Sequence, residues 1–235
     1  GVTPGFEQSV GTYVDGVYRG RPQQTRAPFL DLERVEVLRG PQSILFGKNS
    51  VGGALNITTA RPTDEFEAMV SALYEFEYEE QEVSGFISGP FTDRFRGRLA
   101  ASHREVNGHI ENATLSTDDP DRVEKMARAW LEFDVNDNLT VSLKAEIGEF
   151  DVDGRQIEIV NELPVPGAPS PTNPFGGRTY SQILAALGQD PSVLNNTADY
   201  VRSSNGDFSD NNTDEYVLQA DWQLGENTLT LINSY

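Results

Sequence analysis

The sequence predicts an all-β membrane barrel, incomplete at about seven antiparallel strands, behind an N-terminal α+β segment. Three observations carry that prediction. Apolar and polar residues alternate with period two after residue 65. The polar connections between the alternating runs are in turn short and long. The composition is too polar for helical spans, with 37% hydrophobic residues among 235 and a mean hydropathy of −0.47. No stretch approaches the ~18 apolar residues of a spanning helix, whereas a barrel strand needs only one apolar face and looks hydrophilic on average.

Charge and residue usage exclude several function classes. Acidic residues number 37 against 18 basic ones, for a net charge of −19 and a pI near 4.3. Nucleic-acid binding draws on a Lys and Arg surplus that is absent here. With no cysteine, disulfide frameworks, thiolate zinc sites and thiol nucleophiles drop out together. His103 and His109 are too few for a histidine-rich metal centre. Asp151 with Asp153, and Asp207 with Asp210, lack the twelve-position calcium pattern. No paired carboxylates or hydroxyl–histidine arrangement suggests catalysis, so neither an enzyme, a metal nor a cofactor is expected. The chain opens on Gly1 without a charged-then-apolar leader and stops at Tyr235 inside an alternating run. It is expected to be a fragment cut at both ends, so the missing leader says nothing about location.

The chain changes character at Arg61-Pro62-Thr63, which divides it into residues 1–62 and 63–235. The first part is glycine-punctuated, with strand-like runs at Val10 to Val17, Arg34 to Leu38 and Ala54 to Thr59. In the second part, Glu124 to Val135 places Lys125, Ala127, Ala129, Leu131, Phe133 and Val135 on one face against Glu124, Met126, Arg128, Trp130, Glu132 and Asp134 on the other. Leu139 to Ile147 sets Leu139, Val141, Leu143, Ala145 and Ile147 against Thr140, Ser142, Lys144 and Glu146. The same grammar governs Phe95 to Ser102 and Glu215 to Leu224, with weaker versions over 66–77 and 82–91. A last run starts at Thr228.

The connections Thr92-Asp93, Asn136-Asp137-Asn138 and Gly225-Glu226-Asn227 are short, while those at about 107–123 and 152–212 are long. Sorting by length is expected of an outer-membrane barrel, with turns inside and loops outside. A soluble sandwich, as in a secreted adhesion or binding module, shows alternation too but has no reason to sort its loops. The two readings differ in whether Leu131, Phe133, Leu143 and Ile147 form an exposed belt or pack in a dry core. Seven strands cannot close a bacterial barrel, which takes an even number of at least eight, and an open edge in lipid leaves backbone groups unpaired. Further strands are therefore expected beyond Tyr235.

The most specific stretch runs from Asp31 through Arg34-Val35-Glu36-Val37-Leu38-Arg39-Gly40-Pro41-Gln42-Ser43 to Phe46-Gly47 and Val51-Gly52-Gly53-Ala54, ending at Arg61-Pro62. Pro41 suits the first position of a short helix over Ser43 to Phe46, and Gly47 its left-handed end. Gly52 and Gly53 allow close backbone approach before the next strand. Neither phosphate-binding glycine fingerprint is present. This stretch closely resembles the plug signature of TonB-dependent outer-membrane receptors, and Val10-Gly-Thr-Tyr-Val-Asp-Gly-Val-Tyr-Arg-Gly-Arg resembles the family's strand with an acidic-glycine turn. The resemblance covers about residues 7–62 by motif. It implies a plug inside a barrel of 22 strands, a place in the bacterial outer membrane, and import of a scarce ligand, a ferric siderophore first among them, with energy relayed by TonB and its inner-membrane complex. By the resemblance, the N-terminal box that contacts TonB is expected among the parts of the full protein that this fragment lacks.

By that resemblance, Arg39 is the plug arginine that pairs with barrel carboxylates, its acceptors lying on later strands, with Glu33 and Glu36 in the same network or solvated. Tyr18 to Leu30 corresponds to a plug apex facing the extracellular vestibule. Its Tyr18, Arg19, Arg21, Gln23, Gln24 and Arg26 are the ligand-binding candidates. The competing reading pairs these arginines with acidic loops at Asp118, Asp119 and Asp121. The connection 152–212, with a short helix expected over Tyr180 to Leu187, becomes an extracellular loop that closes over ligand or a loose surface excursion. The Asn-X-Thr triplets at Asn56, Asn112, Asn138, Asn195 and Asn211 are chance matches in a bacterial protein.

Overall fold

A computed structural model describes residues 9–20, 29–42, 50–194, 197–204 and 206–235. Fourteen strands fall into three sheets among these residues. The first is four-stranded, in the order β2-β1-β4-β3, from β1 (Val10–Val14), β2 (Val17–Tyr18), β3 (Leu32–Arg39) and β4 (Gly53–Thr59). β1 runs parallel to β4, and β3 antiparallel to it. The expected Val10 to Val17 run is thus broken by a turn at Asp15-Gly16, whose positive φ values of 50° and 79° suit a primed hairpin turn. Gly53 has φ +149°, and a Cβ there would lie 2.4 Å from the Leu38 carbonyl oxygen, so this close approach requires glycine. Gly52 donates its N–H to the Ser9 carbonyl at 2.7 Å. Gly40 also has positive φ. The helix expected over Ser43 to Phe46, and Gly47, lie outside the described residues.

The second sheet has seven antiparallel strands in the order β14-β13-β11-β10-β7-β6-β5. These are β5 (Glu67–Tyr74), β6 (Gln81–Thr92), β7 (Phe95–Val106), β10 (Asp121–Asn136), β11 (Leu139–Asp153), β13 (Phe208–Leu224) and β14 (Asn227–Ser234). The sheet is open, with β5 and β14 at its edges. Three strands reach 15 to 17 residues, and they extend past the alternation at the long-loop end. The connections consequently shrink from the expected 107–123 and 152–212 to 107–120 and 154–207. The physical reason lies in the outward face: beyond Ile147 it carries Glu149, Asp151 and Asp153, so apolar alternation stops while backbone pairing with β10 and β13 continues.

The register puts Leu131 opposite Leu143, and Leu143 opposite Leu218. These residues, with Phe133, Ile147, Leu99 and Trp222, are exposed. The opposite face is polar and buried: Arg98, Arg128, Glu132, Ser142, Lys144, Glu146 and Glu215 are each at most 8% exposed, beside fully enclosed Trp130. The molecule is therefore apolar outside and polar inside, the inverse of a sandwich core.

The third sheet, β12-β8-β9, belongs to the long-loop end. β8 (Ile110–Asn112) pairs antiparallel with β9 (Thr117–Asp119) and parallel with β12 (Val201–Arg202). A helix, α1 (Tyr180–Ala186), stands where the sequence places it.

Candidate functional site

The four-stranded sheet lies against the polar face of the seven-stranded wall, and ion pairs join the two. Asp15, at the β1–β2 turn, accepts from Thr59 N at 2.9 Å and from the Thr59 hydroxyl. Lys144 on β11 reaches Asp15 at 2.9 Å and Glu215 on β13 at 3.1 Å. Glu215 also receives Arg19 at 2.5 Å. Burial pushes the Asp15 carboxyl up, but the Lys144 charge and the hydrogen bonds from Lys144 and Thr59 hold it net below the usual carboxylate range. Asp31 and Arg98 of β7 form a two-pronged pair at 2.6 Å and 2.6 Å. Arg128 of β10 binds Glu146 at 2.5 Å and the Leu30 carbonyl. Where the chain leaves β4, the Arg61 guanidinium stacks 3.8 Å from the Trp130 ring centre. Arg61 also bonds Gln219 at 2.7 Å, and Trp130 Nε1 donates to the Thr59 hydroxyl at 2.9 Å.

At the long-loop end, between this wall and Phe29, lies a cavity of about 680 Å³. Its wall side is built from consecutive inward positions, including Arg104, Arg122, Glu124 and Met126. Phe150 and Val152 continue it on β11, and Arg155 to Ile157 bring in the long loop. Arg104 pairs with Glu80 at 2.7 Å and with Glu124 at 3.5 Å. The Arg122 Nε is buried without a hydrogen-bond partner among the described residues. Arg155 pairs with Asp207 at 3.3 Å and Glu82 joins the lining, so guanidinium and carboxylate groups stand together beside aromatic and thioether surface, a lining suited to an oxygen-rich small molecule.

The loops over this cavity are tied together. Arg202 donates to the Arg155 carbonyl at 2.6 Å and pairs with Asp207 at 3.0 Å and Asp119 at 3.5 Å. His109 packs between Tyr78 and Tyr200, with ring centres 5.1 and 6.0 Å apart, so three connections share one aromatic contact. At the start of α1, Ser181 donates its N–H and hydroxyl to Glu162, each at 2.6 Å, which lowers the Glu162 pKa.

Of the residues predicted to bind ligand, Arg19 pairs with the wall carboxylate Glu215 at 2.5 Å. Tyr18 packs on Tyr13 across the hairpin, with ring centres 5.3 Å apart. Arg21, Gln23, Gln24 and Arg26 lie outside the described residues. Asp119 and Asp121 take other partners: Asp119 accepts from Asn112 and Asp121 from the Gly108 N–H. Arg39 is exposed on edge strand β3, with no carboxylate in pairing distance among the described residues. Glu33 and Glu36 are exposed and pair with Arg34 of their own strand, at 2.8 and 3.5 Å. The cross-interface pairs fall to Asp15, Arg19, Asp31 and Arg61, which the sequence did not single out for that role. Alternation had already put Arg98, Arg128 and Lys144 on the polar face, and that was the available signal.

Residues 1–54 match the family model of the TonB-dependent Receptor Plug Domain. Over that segment the chain is similar to the TonB-dependent receptors. Among curated relatives, the Pesticin receptor of Yersinia enterocolitica is 42% identical over 120 residues, 48% of this chain and 17% of that protein. The Ferripyoverdine receptor of Pseudomonas aeruginosa is 28% identical over 52% of the chain and 14% of its own length. The chain thus spans less than a quarter of these relatives. The solved ferric yersiniabactin uptake receptor FyuA of Yersinia pestis shares the fold, with a TM-score of 0.69 at 19% identity over 96% of this chain and 31% of that one. The Ferric-Catecholate import receptor Fiu from E. coli K12 gives 0.67 at 16%, over 97% of this chain and 29% of its own.

Proposed function

We propose that residues 1–62 are plug and residues 63–235 are barrel wall of an outer-membrane receptor that imports a ferric siderophore. The observation that carries this reading is the cavity at the long-loop end. It is floored by the polar wall, flanked by Phe29 and roofed by tied loops, and it presents Arg104, Arg122 and Arg155. Iron-chelating ligands offer clustered anionic oxygens on an organic frame, which guanidinium groups and adjacent apolar side chains bind together. Relatives named for ferripyoverdine and ferrichrome support the ligand class. The apolar outer face supports the location. Ligand taken up here leaves through the lumen once the plug moves, and TonB is the partner that supplies the pull. No bond of the ligand is made or broken, so the protein works as a receptor and not as an enzyme. Arg39 keeps its proposed role toward barrel carboxylates, and Arg21, Gln23, Gln24 and Arg26 theirs toward ligand.

The test is uptake of ⁵⁵Fe, given with iron-starved culture supernatant of the host, by cells with and without the full-length receptor. Receptor-dependent uptake is expected, and replacement of Arg104 and Arg122 by Gln is expected to weaken ligand binding at least ~10-fold, about 1.4 kcal/mol. Equal uptake by cells lacking the receptor would overturn the ligand class.

A further inference from the structure

A second cavity, of about 410 Å³, lies within the long loop and adjoins the first. Arg155 and Ile157, the two ends of one short bend, line both cavities. The bend is pinned, because the Ile157 N–H and the Arg202 guanidinium both donate to the Arg155 carbonyl, at 2.8 and 2.6 Å. The lining of one cavity is thus continuous with that of the other through a fixed three-residue partition.

The two cavities offer different chemistry. Polar side chains around the second are already matched to one another or to neighbouring loops. Asp207 pairs with Arg202 at 3.0 Å and with Arg155 at 3.3 Å, and accepts from the Ser204 hydroxyl at 3.3 Å. The Ser203 hydroxyl bonds that of Thr114 at 2.5 Å, and the Tyr180 hydroxyl donates to the Ser203 carbonyl at 3.4 Å. Arg104 and Arg122 line the first cavity and not the second. What the second has left to offer is aliphatic: Val193, Leu194 and Val201, with Ile157 and Ile159 still 53% and 38% exposed beside the space. A space so lined holds water poorly and gains most from an apolar occupant. A methylene group takes roughly the 30 Å³ of a liquid water, so a straight chain of about eight carbons fits with room for its neighbours.

We propose that the second cavity is a tail site: the ligand is an amphiphilic iron chelate whose oxygen-bearing head occupies the first cavity and whose saturated acyl chain, of about six to ten carbons, occupies the second. This deepens the import reading and rests on it for the head, but the tail site is tested without iron. In the full-length receptor in lipid nanodiscs, Ile159→Cys places a thiol on a residue that lines the second cavity alone. Its rate of modification by a water-soluble maleimide, read on that peptide by mass spectrometry, is followed against butanoate, hexanoate, octanoate, decanoate and dodecanoate.

The concentration that halves the rate should fall about fourfold with each added methylene and stop falling at about ten carbons. Leu194→Trp, at another position that lines only the second cavity, should bring that stop to a shorter chain. Leu194→Ala should move it to a longer one, and carries the test alone if the tryptophan variant fails to fold. No protection would overturn the tail site. So would protection that keeps growing through dodecanoate in every variant, as partition into lipid predicts. For the ligand itself, the ⁵⁵Fe complex that the receptor retains from iron-starved supernatant is saponified. One fatty acid per iron is expected, and Leu194→Trp should hold the complex at least ~10-fold more weakly. A retained iron complex with no fatty acid would overturn the proposal. If the wild type retains no iron, the import reading falls, and the alkanoate series still decides the tail site.

Discussion

Asp15 occupies a left-handed position, φ 50°, that a short acidic side chain tolerates, and from there it gathers Thr59 and Lys144. Its depressed pKa has a definite sign in stability. Stabilisation from such a group is complete above the unfolded value and is lost as pH falls through the folded one. The plug edge is therefore expected to hold unchanged from about pH 8 to about pH 5 and to loosen only below the ordinary carboxyl value of 3.8. Protection of the Thr59 amide from exchange in the full-length receptor, relative to its intrinsic rate at each pH, measures this, and a marked fall in protection near neutral pH would contradict it. Gly53 gives a second expectation at this scale. Gly53→Ala forces a Cβ against the Leu38 carbonyl oxygen and should weaken the β3–β4 pairing by about 1–3 kcal/mol, read as faster exchange along β3. Gly40→Ala, with φ +79° and open space around it, should lose only about 1 kcal/mol. The sequence made the glycine pair legible because close approach leaves a local mark. Lys144 and Asp15 left none, being 129 positions apart; parity assigned the lysine to the wet face and could say nothing of its partner.

Individual strands were legible wherever one face met lipid. β10 and β11 alternate from the short-turn end up to Ala127 and Ile147, and fade where the outward residues become Lys125 and Glu149. β8, β9 and β12 have only two or three residues each, too few for any periodicity, so the loop sheet could not be foreseen. Two expectations belong to this scale. Leu143→Arg, in mid-belt and flanked by Leu131 and Leu218, should destabilise the barrel by about 2–4 kcal/mol, measured by urea unfolding in lipid vesicles. The same change at outward Asp151 should be near neutral. In the loops, Arg202 is 9% exposed and joins Asp119, Asp207 and the Arg155 carbonyl. Arg202→Ala removes three ties, while Asp207 keeps Arg155 and Asp119 keeps Asn112, and should loosen residues 154–207 from 107–120 by about 1–3 kcal/mol locally. Limited proteolysis should then cut the loop while the barrel band stays intact; an uncut loop would show that the aromatic contact at His109 suffices.

Over the whole molecule, the outward face divides the chain's charge and fixes its depth in the bilayer. The net charge of −19 does not touch the belt: Leu139, Val141, Leu143, Ala145 and Ile147 are followed on the same face by Glu149, Asp151 and Asp153, and on β13 Tyr216 gives way to Asp214 and Asp210. Eight residue steps from Leu139 to Ile147 rise roughly 27 Å along the strand, or about 19 Å along the normal at a ~45° tilt. With a flanking side chain at either end this fills the ~25 Å apolar band of an outer-membrane barrel. Phe91, Phe95 and Phe133 cluster at the short-turn end, with ring centres 5.0 and 6.5 Å apart, where an interfacial aromatic girdle belongs. The bilayer boundary on the loop side must then fall between Ile147 and Asp151. Nitroxide labels placed singly at 143, 147 and 151 of the full-length receptor in vesicles should show that division: oxygen should relax the first two more strongly, and a polar nickel chelate the third. A label at 151 relaxed mainly by oxygen would move the boundary outward and submerge the carboxylates at Glu149 and Asp151. That placement would leave charge in hydrocarbon at a cost the apolar belt exists to avoid, so this measurement bears on the whole assignment of inside, outside and lipid.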